Sequence, residues 1–359
     1  MNSATFPGIR FKQSVWHLPA LLGFIHLLND LTAGMLIGTA ASAATGKDLS
    51  MMVLVYNVLA FGSQPLAGLL SDKYQLSRVY VYAGILSAIG GLIVFTFSPW
   101  TAIILSGLGS SVFHVGGGSL SITADDHKSG YIGLFSSPGV LGLALGGYIS
   151  WLGLFPTAEL IVLFLLSAAL TGVLKNGKIQ EPPPKQSFIP DGHDIIMIAV
   201  LLAIAFRSAV WNIFQYITAG EIAILIPLAL SAASGKLAGG FLADFAGKKI
   251  WLYTSLIAAI ILLTFHEQSR ISLYAGIFFL QASSPAAIRI LASGLPGRAG
   301  LTASIAFGLA IAVGALPHYL RMTAFIAESA FLIPLFITVS LAAVIWGLHL
   351  VERQAGAQT

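Results

Sequence analysis

Apolar runs of roughly 17 to 25 residues, the length that crosses a bilayer as a helix, follow one another along this chain with only short polar breaks. Cutting the runs at charges, prolines and glycine clusters predicts six helices over 17–41, 50–71, 79–97, 99–123, 130–152 and 157–174. Six more are predicted over 194–217, 221–243, 249–265, 271–292, 300–317 and 328–350. Between the sixes lies a segment that cannot span: Lys175, Lys178, Glu181, Pro182, Pro183, Pro184 and Lys185 make it polar and proline-stiffened. The expected organisation is an N-terminal six-helix bundle over 1–174, a linker over 175–193 and a C-terminal six-helix bundle over 194–359.

Composition turns this pattern into a statement about solvent. Hydrophobic residues make up 57% of the chain and charged residues 9%, against roughly 25% charged in an ordinary soluble domain. So much apolar surface has to face lipid, which makes the chain an all-α integral membrane protein. The 38 glycines and 15 prolines fit, because small residues let membrane helices approach and neighbouring helices re-satisfy broken backbone bonds. There is no cysteine, so disulfides and thiolate chemistry are excluded. Arg10 and Lys12 precede a full-length span without a small-residue cleavage site, so the first span is expected to stay.

The cations report topology. Thirteen of them fall on the side of the termini: Arg10, Lys12, Lys73, Arg78, Lys128, Lys175, Lys178, Lys185, Lys248, Lys249, Arg289, Arg298 and Arg353. Three fall on the other, Lys47, Arg270 and Arg321. By the positive-inside rule both termini are expected in the cytoplasm of a cell that carries the chain in its inner membrane. The net charge of +4 is accounted for by these loops and calls for no nucleic-acid partner.

The halves also repeat. Gly68-Leu69-Leu70-Ser71-Asp72-Lys73 ends the second predicted helix, and Gly240-Phe241-Leu242-Ala243-Asp244-Phe245-Ala246-Gly247-Lys248-Lys249 ends the eighth, 172 positions later. The second copy resembles the G-x-L-x-D-x-x-G-[RK]-[RK] loop of the major facilitator superfamily at Gly240, Leu242, Asp244, Gly247, Lys248 and Lys249. The first keeps Gly68, Leu70 and Asp72, with Gln75 where glycine is expected and Arg78 one place late. The resemblance implies the major facilitator fold of twelve transmembrane helices, and in that family this loop is a conformational latch.

A narrower resemblance is to the fosmidomycin-resistance-like branch, whose members export small drugs. Its first helix reads H-x-x-N-D, matched by His26, Asn29 and Asp30. Its fourth reads G-x-x-x-F-H-P-E, matched by Gly109, Phe113 and His114 but followed here by Val115 and Gly116, which removes a carboxylate. Its seventh carries R-S, matched by Arg207 and Ser208.

An ionisable side chain at membrane depth costs roughly 2.5–3.5 kcal/mol on insertion scales, so it lines a cavity or pairs. Asp30 falls mid-span with His26 one turn earlier on the same face and Asn29 beside it. It is expected to bind and release a proton or to neutralise a cationic substrate group, with His26 setting how tightly the proton is held. The alternative is a structural pair that joins two helices. Arg207 is expected as counter-ion to Asp30 or anchor for an anionic substrate, His114 as cavity residue or interhelical hydrogen-bonder, and Trp211, one turn after Arg207, as a substrate contact. Lys236 and Arg289 read as topology residues whose long stems snorkel to the cytoplasmic face. In the fifth helix Ser136, Ser137, Pro138, Gly139, Gly142, Gly146 and Gly147 suit either a facilitator-antiporter motif or a small-residue packing face.

No GxxxxGK[ST], HExxH or GxSxG pattern is present, which argues against ATP-driven transport and hydrolysis. The expectation is a secondary transporter, a monomer with no cofactor, metal or catalytic residue, that exports drug-like or organic-anion substrates against protons. An uncoupled facilitator or importer of a small metabolite is the alternative, ahead of a membrane enzyme or sensor.

Overall fold

The computed structural model describes residues 16–43, 46–174, 192–218, 221–329 and 331–357. Every regular element among them is helical. The first half supplies α1 (His17–Ala43), α2 (Gly46–Tyr74), α3 (Ser77–Val94), α4 (Pro99–Thr123), α5 (Gly130–Trp151) and α6 (Thr157–Val173). The second supplies α7 (Gly192–Ile217), α8 (Ile222–Ala246), α9 (Lys248–Thr264), α10 (Arg270–Gly294), α11 (Ala299–Tyr319) and α12 (Leu332–Ala357), with a short turn, Thr323–Ala327, before the last. Ten of the twelve are long and apolar enough to cross a membrane, and α6 and α9 are 17 residues each. The chain is a multi-pass membrane protein. The linker expected over 175–193 lies outside the described residues except for its last two positions, which open α7, and Arg10 and Lys12 also lie outside.

Local chemistry sets the ends. Ser98 accepts a hydrogen bond from the Thr101 amide with Pro99 in the first turn, and Ser269 does the same from Ser272, so α4 and α10 begin at true N-caps. Leucines, isoleucines and valines such as Leu66, Leu86, Ile93 and Leu165 stand exposed on the outer faces, where lipid replaces water. Trp16 and Trp151 sit exposed at helix ends, the interfacial position expected of them. Trp251 is used differently, because its indole N–H donates to the Ala282 carbonyl at 3.1 Å and ties α9 to α10.

Within the first half, α1 lies directly on α5. A Cβ at Gly142 or Gly146 would strike the carbonyl oxygens of Leu27 and Leu31, so these two glycines of the fifth helix pack against α1. The two halves meet where α5 lies on α8 and where α2 and α4 lie on α11.

Two features of that seam were not legible in the sequence. Val58–Gly62 in α2 and Ile305–Leu309 in α11 are π-turns, each leaving the regular hydrogen-bond ladder one residue out of step. Gln64 joins them: its amide donates to Ala60 O at 2.7 Å within α2 and to Phe307 O at 3.2 Å across the seam. At the opposite end the halves part around a cavity of about 620 Å³, lined by Leu49, Val53, Tyr216, His318 and Arg321.

Candidate functional site

The middle of α1 and the middle of α4 meet around one carboxylate. Asp30 places Oδ2 3.2 Å from His26 Nε2 and Oδ1 3.8 Å from His114 Nε2. Asn29 donates from its amide to Asp30 Oδ1 at 2.9 Å and to Ser110 Oγ at 3.1 Å. His26, Asn29 and His114 are buried, whereas the Asp30 side chain keeps 19% exposure. The acid is therefore the most accessible member of the cluster.

The ring orientations are fixed from behind. His26 Nδ1 lies 2.8 Å from the Phe135 carbonyl and His114 Nδ1 lies 2.7 Å from the Ser110 carbonyl. A carbonyl only accepts, so each Nδ1 carries a hydrogen, and each neutral ring would turn a lone pair towards Asp30. At 3.2 Å, His26 Nε2 and Asp30 Oδ2 are close enough to share a hydrogen. The donor atoms of His26, Asp30 and His114 lie within 4.8 Å of one another; the hydrogen bond from Asn29 and the hydrogen-bonding distance to His26 account for the spacing without an ion.

The sequence placed His26, Asn29 and Asp30 on one helix face and named His114 as a cavity partner without the contact that joins them. It also missed Ser110 and Tyr56, whose hydroxyl lies 3.4 Å from Ser110 Oγ. The i to i+4 spacing of Ser110 and His114 on α4 was the available signal. Beneath the cluster, His26 stacks on Phe135 at 4.7 Å, and Phe135 meets Phe307 of the other half at 5.3 Å. These rings separate Asp30 from the end of the molecule that carries the repeated motif.

Arg207 is buried in α7, but it is not within ion-pair distance of Asp30. It donates instead to Gln281 Oε1 of α10 at 2.7 Å, while its Nε has no partner. Trp211, one turn on, is partly buried against the core.

Lys236 departs from its sequence reading. It stands ten residues before Ala246 at the end of α8, about 15 Å along the axis at 1.5 Å per residue. Its stem is too short to reach that end, and its side chain is partly buried. Arg289 is likewise no free topology charge. It is buried, and its guanidinium donates to Ile122 O at 3.0 Å and Lys128 O at 2.7 Å, gripping the end of α4.

At the motif end the two repeat copies act alike. Asp72 accepts from the amides of Gly300 and Leu301 at 2.7 and 2.8 Å, at the start of α11. Asp244 accepts from Ser129 and Gly130 at 2.6 and 3.0 Å, at the start of α5. Each carboxylate thus caps the positive end of a helix in the opposite half. Gly68 and Gly240 make the approach possible, since a Cβ there would meet Ser304 and Gly130 respectively. Gln75 and Gly247 occupy equivalent turns with φ of +56° and +93°, which explains the glycine of the motif. Gly247→Ala is expected to destabilise the protein by about 1–2 kcal/mol, read as a lower melting temperature in detergent. Arg78 donates to Thr171 O at 2.9 Å and Leu174 O at 2.6 Å, capping α6 within its own half. Lys248 and Lys249 open α9 beside Gly247.

No family model matches the sequence. The fosmidomycin resistance protein of Escherichia coli (strain K12) is 23% identical over 338 residues, covering 81% of this chain and 82% of that protein. Among solved structures, the E. coli fucose:proton symporter FucP superposes with a TM-score of 0.69 at 13% identity, over 93% of this chain and 99% of that one. The fold is that of the major facilitators. FucP in its outward conformation gives a TM-score of 0.73 at 13% identity over the same shares. The human organic anion transporter MFSD10 gives 0.66 at 14%, over 93% of this chain and all of that one. The likeness read from the first-, fourth- and seventh-helix motifs is thus matched by a relative along most of the chain.

Proposed function

We propose that this chain is a proton-coupled secondary transporter that exports small drug-like or organic-anion molecules by alternating access. The observation that carries the reading is the pairing of His26 with Asp30 at 3.2 Å near the middle of α1, with His114 3.8 Å from the same carboxylate. A buried acid at a closed seam would be an expensive contact, whereas one at the midpoint of a rocking pair of bundles can load from one side and unload to the other. The drug-resistance relative supports export, and the fucose:proton symporter supports protons as the coupling ion.

The thirteen-to-three distribution of cations supports cytoplasmic termini in an inner membrane. The motif end is then cytoplasmic and closed, and the cavity beside Tyr216 and His318 opens outward. Residues 1–174 and 194–359 would rock as two bundles within a monomer. A protonated Asp30 cluster that disfavours bound substrate gives exchange, protons entering as substrate leaves.

Proteoliposomes containing an internal pH dye test this. A substrate gradient is expected to drive a pH change in protein-containing vesicles that an uncoupler abolishes and empty vesicles lack. If no compound from a panel of amphipathic drugs and organic anions moves protons or supports counterflow, the reading fails.

A further inference from the structure

A proton carrier needs one titrating pair, yet a second imidazole is turned on the same carboxylate. His26 Nε2 and His114 Nε2 face Asp30 at 3.2 and 3.8 Å, and the three donor groups lie within 4.8 Å of one another. Two ligands on a tetrahedral ion with bonds of about 2.0–2.2 Å stand about 3.3–3.6 Å apart, so the observed separations bracket those an ion imposes. The support behind the donors is also that of metal ligands. His26 Nδ1 is tied to Phe135 O at 2.8 Å and His114 Nδ1 to Ser110 O at 2.7 Å, which leaves each Nε2 lone pair to coordinate, and the Asn29 amide steadies the carboxylate. Hydrogen bonds set this spacing without an ion, and the same bonds preorganise it for one. The hydrogen that His26 and Asp30 can share leaves to solvent as the ion enters.

We propose that His26, His114 and Asp30 form an exchangeable site for a divalent transition-metal ion of the Zn²⁺ class. Two imidazoles and one carboxylate suit Zn²⁺ or Co²⁺, whereas Mg²⁺ and Ca²⁺ take oxygen ligands. Three protein ligands leave a fourth position open, and the Asp30 side chain keeps 19% exposure, the form of a site that exchanges its ion rather than one that staples the fold. Where the exchange reading also holds, ion and coupling proton compete for the same oxygens; the site itself does not rest on that reading.

The test is Co²⁺ titration of the purified full chain in detergent, free of any polyhistidine tag, read by visible absorption, which is far stronger for four-coordinate Co²⁺ than for the hydrated ion. The chain has no cysteine to add thiolate bands. One Co²⁺ per chain is expected to bind with strong visible bands, to be displaced by Zn²⁺ but not by excess Mg²⁺, and to be stripped by a chelator without unfolding. His114→Gln and Asp30→Asn should each weaken binding by about 100-fold or more, at least what losing a ligand's supporting hydrogen bond costs. His266→Gln, whose imidazole Nδ1 lies 2.7 Å from Leu263 O at the end of α9, should leave the bands unchanged. X-ray absorption of the Zn²⁺-loaded parent should show two imidazole ligands, a readout that needs no variant to fold. A parent without the bands, bands that survive His114→Gln or Asp30→Asn, or a zinc shell of oxygens alone overturns the site.

Discussion

Asp30→Asn is expected to reduce substrate-driven proton movement in proteoliposomes to the level of empty vesicles, while substrate counterflow persists. Asparagine has the size of aspartate and can donate to His26 Nε2, which lies 3.2 Å from Asp30 Oδ2. It also keeps an oxygen for the Asn29 amide. Packing between α1 and α4 should therefore survive, and so should the rocking that counterflow reports. What the variant cannot do is release a proton, because an amide does not titrate in this range. Loss of both activities in a folded variant would make Asp30 a substrate ligand first. Unchanged proton movement would make the Asp30 pair structural and move coupling to His114.

His26, Asn29 and Asp30 were legible as neighbours because helix periodicity places i and i+4 on one face. Lys236 was misplaced. A census of cations assigns a long side chain to the nearest interface, but a lysine ten residues from its helix end is beyond snorkelling distance, and only the true end of α8 at Ala246 settles that. His114, Ser110 and Tyr56 join Asp30 through packing between α1, α2 and α4, which no local pattern encodes. The contact of Arg207 with Gln281 was not legible, since Gln281 is an uncharged residue in an otherwise apolar stretch of α10. Span limits were read to within a few residues because hydrophobic length is a direct consequence of bilayer thickness. The π-turns were not, because one extra residue in a turn leaves no trace in an apolar run.

Replacing both latch carboxylates should move the molecule towards its opposite state. Each accepts two backbone amides at a helix start, and a hydrogen bond to a charged group is worth about 1.5–3 kcal/mol. Asparagine keeps one acceptor and loses the charge that faces the helix dipole, so each change should cost the closed motif end about 2 kcal/mol, or roughly 30-fold in the equilibrium. Asp72 and Asp244 lie on different helices and share no partner, so the two effects should add to about 4 kcal/mol and approach a thousandfold. The absence of native cysteine makes the measurement direct. Ala303, fully buried where α11 lies on Gly118 of α4, takes a single reporter as Ala303→Cys. Labelling there by a bulky maleimide should be slow in the parent, faster in Asp72→Asn or Asp244→Asn, and fastest in the double variant. If the single variants label at the parental rate, the carboxylates only terminate their helices. If one single variant labels as fast as the double, the two ends open as one unit, and the seam between α2 and α11 that Gln64 bridges is the place where they are joined.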